Sequence, residues 1–202
     1  RSTLFPYTTL FRSPYRSRIP YLASRIQYPV SRFPHPISHS PAIFAAMKIL
    51  MVCLGNICRS PLAEGILQYK AQQAGLDWTI DSAGTNGYHT GEPPHKLSQK
   101  VAGIYGIDIS CQRSRRFVAA DFHRFDKIYA LAGDVLEEMK WIAKKDFDPK
   151  KADLLMNELY PGKNLDVPDP WYGPEPGYHE VYKMIDAVCD AVIKKYARKY
   201  QF

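Results

Sequence analysis

From Met47 onward the chain alternates short apolar runs with longer stretches of helical period. Residues 48–54 form a near-continuous apolar run stopped by Gly55, the pattern of a strand buried on both faces. Residues 61–74 place Leu62, Ile66, Leu67 and Ala74 on one helical stripe and stop at Gly75. Residues 78–82 read as a second strand that runs into the small-residue turn Ala83-Gly84-Thr85-Asn86-Gly87. A helix over 94–105 ends at Gly106. A third strand over 127–132 is followed by a helix over 134–144, and 153–159 is a short element whose type the pattern leaves open. A loop holding five prolines spans 161–176. The helix over 177–199 then carries Val181, Met184, Ile185, Val188 and Val192 at i, i+3, i+4, i+7 and i+11. Strand and helix alternating through short connections predict an α/β domain around a central parallel sheet. Ligands of such sheets gather at the carboxyl ends of the strands.

Composition changes this picture mainly at the N-terminus. The 202-residue chain has a formal net charge of +7, with 27 Lys and Arg against 20 Asp and Glu. Six of the arginines lie in residues 1–46, which contain no lysine and no acid, so the rest of the chain holds 21 basic against 20 acidic residues. The globular part is near neutral, which argues against a nucleic-acid partner. Residues 1–46 are rich in Pro, Ser, Arg and Tyr and lack a sustained apolar period, so no packed structure is expected there. An organelle transit peptide is one reading, but the scattered prolines break the amphipathic helix that such peptides use. The other is a disordered leader translated from upstream nucleotide sequence. Leu10-Phe11-Arg12-Ser13 resembles a translated sequencing-adapter end, and Met47 is a natural start. Residues 47–202 are then the domain. No run of about 18 apolar residues predicts a membrane span. Cys53, Cys58, Cys111 and Cys189 do not make a disulfide framework for a domain of this size, and a reducing cytoplasm fits them.

The chemistry concentrates in Cys53-Leu54-Gly55-Asn56-Ile57-Cys58-Arg59-Ser60, directly after the first strand and before Pro61. A strand, tight loop and helix start is where backbone N–H groups wrap an anion. The thiolate of a cysteine is its nucleophilic form, and N–H donors and Arg59 around Cys53 favour it. Arg59 offers a planar fork for two oxygens of a tetrahedral anion. Gly55 permits close backbone approach, and Asn56 tolerates a left-handed turn. Ser60 is either the N-cap of a helix that begins at Pro61 or a hydroxyl donor to the Cys53 sulfur. Cys58 is either a small buried side chain or a thiol that approaches Cys53 when the loop closes. No second Cys/His pair at metal-ligand spacing accompanies it.

A second constellation is Pro168-Asp169-Pro170-Trp171-Tyr172-Gly173. Hydrolysis of a phosphate ester needs a proton for the leaving oxygen, and a loop carboxylic acid can supply it. Two prolines stiffen the backbone that aims Asp169, and the aromatics beside it could wall a flat ring. A lone turn-forming aspartate is the plainer alternative, and Asp166 is the rival acid.

Together these residues resemble the low-molecular-weight protein tyrosine phosphatases. The loop from Cys53 to Pro61 resembles that family's phosphate-binding signature, Asp169-Pro170-Trp171-Tyr172-Gly173 its general-acid loop, and Asp81-Ser82-Ala83-Gly84-Thr85 the end of its second strand. The resemblance implies a three-layer α/β/α fold with a central four-stranded parallel sheet and the phosphate-binding loop after the first strand. It implies no metal or cofactor. It also implies hydrolysis of protein phosphotyrosine and aryl phosphates through a cysteinyl-phosphate. Cys53 would be the nucleophile, Arg59 the phosphate clamp and Asp169 the general acid and base. Loop residues Leu54, Gly55, Asn56, Ile57, Cys58 and Ser60 would bind or shape around the phosphoryl group, with Cys58 as a redox partner. Leu54, Tyr88, Trp171 and Tyr172 would line the entrance for the aromatic ring. The implied partner is a phosphotyrosine-bearing protein, a bacterial tyrosine kinase among the candidates, and the implied state is a monomer or weak self-association.

This chain departs from the family pattern in places. His95-Lys96-Leu97 stands where Asp-Pro-Arg is frequent, Tyr105 where histidine is frequent, and Leu131-Ala132-Gly133-Asp134-Val135 where a Met-Asp-x-Ser-Asn stretch is common. His95 reads as a solvent-facing loop residue. A thiol-dependent arsenate reductase of similar fold needs two further cysteines close together to relay a disulfide. Cys111 and Cys189 are separate in sequence. A protein-arginine phosphatase resembles the same family with threonine at the position of Ile57. A non-catalytic phosphopeptide-binding module could keep Arg59 but has no need of Cys53 and Asp169 together.

Overall fold

The computed structural model describes residues 46–199, so the leader reading of residues 1–46 falls, but for its last residue, outside the described part. The elements are β1 (Met47–Cys53), α1 (Arg59–Gln73), β2 (Trp78–Gly84), α2 (Lys96–Ile104), α3 (Asp121–Arg124), β3 (Lys127–Ala130), α4 (Gly133–Ala143), β4 (Ala152–Leu154) and α5 (Glu175–Lys199). Short 3-10 turns follow α4 at Lys144–Asp146 and β4 at Leu155–Glu158, which resolves the ambiguous element into a strand and a turn. The sheet has four strands in the order β2-β1-β3-β4, all parallel.

The period of two in β1 builds both layers of the core. Ile49, Met51 and Cys53 face α1, α2 and α5, with Leu62, Ile66, Val101, Ile185 and Val188 among their neighbours. Leu50 and Val52 face the opposite layer with Phe122 of α3 and Val135 and Met139 of α4. A strand buried on both sides must be apolar throughout, which is why residues 48–54 show no alternation. Among the described residues no helix is long and apolar enough to cross a membrane.

Several boundaries differ from the sequence pattern for local reasons. Helix α1 starts at Arg59 rather than Pro61, and Cys58 is its N-cap. It ends in a Schellman turn: Gly75 (φ 68°) donates to the Gln72 carbonyl at 3.0 Å and Leu76 to that of Ala71 at 2.9 Å. This turn leaves Ala74 exposed and makes Ala71 the buried end of the stripe. Ala83 and Gly84 are strand, not turn, and pair with Val52 and Cys53. Helix α2 begins after Pro94, at Lys96, and Pro176 lies inside the first turn of α5. The short α3 carries no helical period of its own and was not legible in the pattern.

Candidate active site

β1 lies between β2 and β3, so consecutive strands leave it in opposite directions across the sheet. The crevice at its carboxyl end is the switch point where α/β sheets bind ligands. Cys53 is the last residue of β1, and residues 54–58 loop from it into α1.

The loop is held open from outside. The carbonyls of Cys53 and Leu54 accept from Thr85 and Asn86 at 3.0 Å, and that of Ile57 from His95 at 2.7 Å. The Gly55 carbonyl accepts from the Ser114 hydroxyl at 3.2 Å and that of Cys58 from Ser98 at 3.3 Å. With the carbonyls drawn outward, the N–H groups of Gly55, Ile57 and Cys58 donate to no backbone carbonyl among the described residues. Such a ring of unpaired donors is an anion site. Gly84 makes the closeness possible, because a Cβ there would sit 2.8 Å from the Leu54 oxygen.

Asn56 is the hub. It takes a positive φ of 54°, is almost fully buried, and its N–H points to the Cys53 sulfur at 3.2 Å. Its side-chain amide donates to Ser60 at 2.9 Å and to Ser82 at 2.8 Å, while its carbonyl accepts from the Arg115 N–H at 2.8 Å. Because Ser60 Oγ already accepts from Asn56, its own proton is free to point at Cys53 Sγ, 3.0 Å away. Ser60 is therefore not the N-cap of α1; it lies within the first turn and faces the sulfur.

Behind the hub Ser82 donates to Glu64 at 2.6 Å. Burial pushes the Glu64 carboxyl up to about 7, against the opposing pull of the Ser82 hydrogen bond. The sign of its effect on stability follows. Below 4.5 both native and unfolded chains hold the proton and Glu64 contributes nothing. Between 4.5 and 7 the unfolded chain releases it first, so stability falls as pH rises and levels off above 7. The loss is at most about 3 kcal/mol. Glu64→Gln is expected to flatten this slope, gaining stability at pH 8 relative to pH 5 in urea unfolding. An equal shift of the midpoint at both pH values would refute it.

Arg59 is buried on the other side of the loop. Its Nη1 donates to the Val167 carbonyl at 3.2 Å, its Nη2 lies 2.6 Å from Asp169 Oδ2, and its buried Nε has no acceptor among the described residues. The acid loop is itself anchored to the sheet, with the Val167 N–H donating to the Leu131 carbonyl at 2.8 Å. Asp169 Oδ1 accepts from the Trp171 N–H at 3.1 Å, so the aspartate makes a turn and also reaches Arg59. Asp166 is committed elsewhere: its Oδ1 accepts from the Gly133 N–H at 2.8 Å, where α4 has no side-chain cap of its own.

These parts surround a pocket of about 270 Å³. Cys53, Leu54, Gly55, Ile57, Cys58, Arg59, Tyr88, Asp169, Trp171 and Tyr172 line it, as do Asn86 and His89, which the motifs did not single out. Asn56 and Ser60 stand behind the wall and hold it. Tyr88 and Tyr172 are 87% and 97% exposed, which places them at the rim. Cys58 is buried with its sulfur 3.7 Å from the Tyr178 hydroxyl, and burial pushes its thiol up to about 12.

His95 is not a solvent-facing residue. It is half-buried, caps α2 by accepting from the Leu97 N–H at 3.3 Å, and stacks on Tyr178 with ring centroids 5.4 Å apart. It also meets the edge of Trp171 at 5.4 Å, while His89 meets Trp171 at 5.5 Å. Two histidines thus brace the aromatic of the acid loop, and burial lowers the His95 pKa. Nothing in their spacing relative to Trp171 reveals this contact in one dimension.

Comparison with known proteins decides the family. Residues 48–202 match the family model described as low molecular weight phosphotyrosine protein phosphatase. The chain belongs to that family. It is accordingly a phosphatase, a hydrolase of the low-molecular-weight protein-tyrosine-phosphatase class. The low molecular weight protein-tyrosine-phosphatase of Streptomyces coelicolor is 34% identical over 150 residues, 72% of this chain and 91% of its own length. The human low molecular weight phosphotyrosine protein phosphatase is 33% identical over 153 residues, 75% of this chain and 96% of its own. A protein tyrosine phosphatase structure from Entamoeba histolytica, described with Hepes in the active site, superposes with a TM-score of 0.69 at 35% identity, covering 76% of this phosphatase and 98% of that chain. The phosphatase has the expected architecture, a three-layer α/β/α fold on a four-stranded parallel sheet.

Proposed function

We propose that this phosphatase hydrolyses protein phosphotyrosine through a cysteinyl-phosphate on Cys53, with Arg59 as clamp and Asp169 as general acid and then base. The observation that carries the reading is that Cys53, Arg59 and Asp169, the last more than a hundred residues away in sequence, line one pocket. The Cys53 sulfur would attack phosphorus as the bond to the tyrosyl oxygen breaks, and Asp169 would give that oxygen its proton. Water would then attack the cysteinyl-phosphate, passing a proton to Asp169 and returning the thiolate. Loop amides and the Arg59 Nε, unpaired among the described residues, would take phosphoryl oxygens. Ser60 and the Asn56 N–H support the sulfur as an anion.

Leu54, Tyr88, Trp171 and Tyr172 form apolar walls suited to a phenyl ring. Ile57 on the loop favours the tyrosine-directed over the arginine-directed branch. The physiological partner is a phosphotyrosine-bearing protein, a bacterial tyrosine kinase being one candidate, and the enzyme works in the cytoplasm as a monomer or weak self-associate. The domain that carries this activity is residues 47–202. A Cys53–Cys58 disulfide, the redox role the resemblance implies, would form only with an external two-electron oxidant, and burial pushes the Cys58 thiol up to about 12. The test is to mix the enzyme with a phosphotyrosine peptide, quench in acid and map the phosphate by mass spectrometry. The phosphate is expected on the peptide that contains Cys53. Turnover without any adduct on that peptide rules the mechanism out.

A further inference from the structure

Beside the active-site pocket lies a second hollow of about 450 Å³, lined by residues 85–88, Arg116 and three residues of α4, Glu138, Trp141 and Ile142. The two adjoin, with Asn86 and Tyr88 in the walls of both. We propose that this groove receives the substrate segment next to the phosphotyrosine and selects a flank that carries a large apolar residue and an acidic one. The proposal rests on the phosphotyrosine reading of the adjoining pocket and names the substrate class within it.

Three features of the groove point to a peptide. Trp141 is 73% exposed, although it sits on a helix whose next residue, Ile142, packs on the core. Exposed aromatic rings of this kind are the anchors that protein interfaces use. Arg116 has a fixed backbone, bridged to Gly84 at the end of β2, yet its guanidinium makes no ion pair among the described residues. Its neighbour Arg115 is spent on Asp81 and Asp121, at 2.8 and 3.0 Å. Arg116 is therefore the groove's free cation, and an acidic side chain complements it. Thr85 contributes a buried hydroxyl without a partner among the described residues, a group suited to a peptide N–H or carbonyl.

The charges also give the groove a direction. Glu138 on the α4 wall repels an acid there, so the acidic residue belongs at the Arg116 end and the apolar one against Trp141 and Ile142.

The experiment compares kcat/KM of the full chain on an aryl phosphate and on two phosphotyrosine peptides, one flanked on both sides by Leu and Asp, the other by Ala and Lys. Trp141→Ala and Arg116→Glu are expected to lower kcat/KM on the Leu/Asp peptide about tenfold, chiefly through KM, and to change the aryl phosphate less than about twofold. Arg116→Glu is also expected to reverse the preference between the peptides. Peptide kinetics untouched by both variants overturn the proposal, as do equal losses on peptide and aryl phosphate. So does an effect confined to self-association, followed by sedimentation. A wild-type chain that hydrolyses no aryl phosphate overturns the phosphatase mechanism itself, a failure distinct from loss of the groove.

Discussion

Cys53→Ser is expected to lower turnover of aryl phosphates and phosphotyrosine peptides by about 10,000-fold or more. A serine hydroxyl has no accessible anion at neutral pH, and the loop donors that favour a thiolate do not make an alkoxide of it. The substitution removes little else. Cys53 is buried, its neighbours Ser60 and the Asn56 N–H can both bond an oxygen, and the loop carbonyls keep their outside partners. The variant is therefore expected to keep its thermal midpoint and still to bind inorganic phosphate in calorimetry. Turnover within tenfold of wild type would remove Cys53 from the mechanism. Loss of both turnover and phosphate binding would assign the cysteine a structural role instead.

Asp169→Asn is expected to slow hydrolysis by about 100-fold or more, with the size of the loss set by the leaving group. A tyrosyl oxygen, whose phenol ionises near pH 10, departs poorly without a proton, whereas a nitrophenol departs readily as the anion. The slope of log rate against leaving-group acidity is therefore expected to steepen in the variant. Wild type carries a carboxylate oxygen 2.6 Å from Arg59, held in place by the Trp171 N–H. Asparagine keeps the size and the turn but neither donates nor accepts the proton as a carboxyl group does. A uniform loss across leaving groups would mean that Asp169 orients Arg59 rather than transferring a proton. Asp166→Asn serves as the comparison. Its carboxylate binds the Gly133 N–H at the start of α4, so it is expected to cost stability without altering the leaving-group dependence.

Much of this architecture is one-dimensional information. The apolar run of β1, the stripe of α5 and the glycines at 75 and 106 are local signals, because a doubly buried strand, an amphipathic helix and a left-handed cap each impose their pattern on adjacent residues. The Cys53–Arg59 loop is legible for the same reason: one tight turn between a strand and a helix start holds its thiol, N–H donors and guanidinium together.

Other features depend on contacts between distant segments. Ser60 could have been a cap or a partner of the sulfur, and it became the second only because Asn56, bonded to Ser82 and to the Arg115 N–H, turns the loop back on itself. In sequence Asp169 is favoured by its flanking prolines and aromatics, with Asp166 three residues earlier as the rival. The packing separates them, one facing the end of α4 and the other Arg59. His89 and His95 gain their contact with Trp171, and Glu64 its raised pKa, from burial between elements. The sequence alone thus determined the α/β class and the family resemblance, since short-range geometry is written in neighbouring positions. The tertiary structure alone decided which acid meets Arg59, which hydroxyl meets the sulfur, and that Arg116 and Trp141 share a groove beside them. Those outcomes come from chain segments that meet only when the sheet and its two helical layers close around β1.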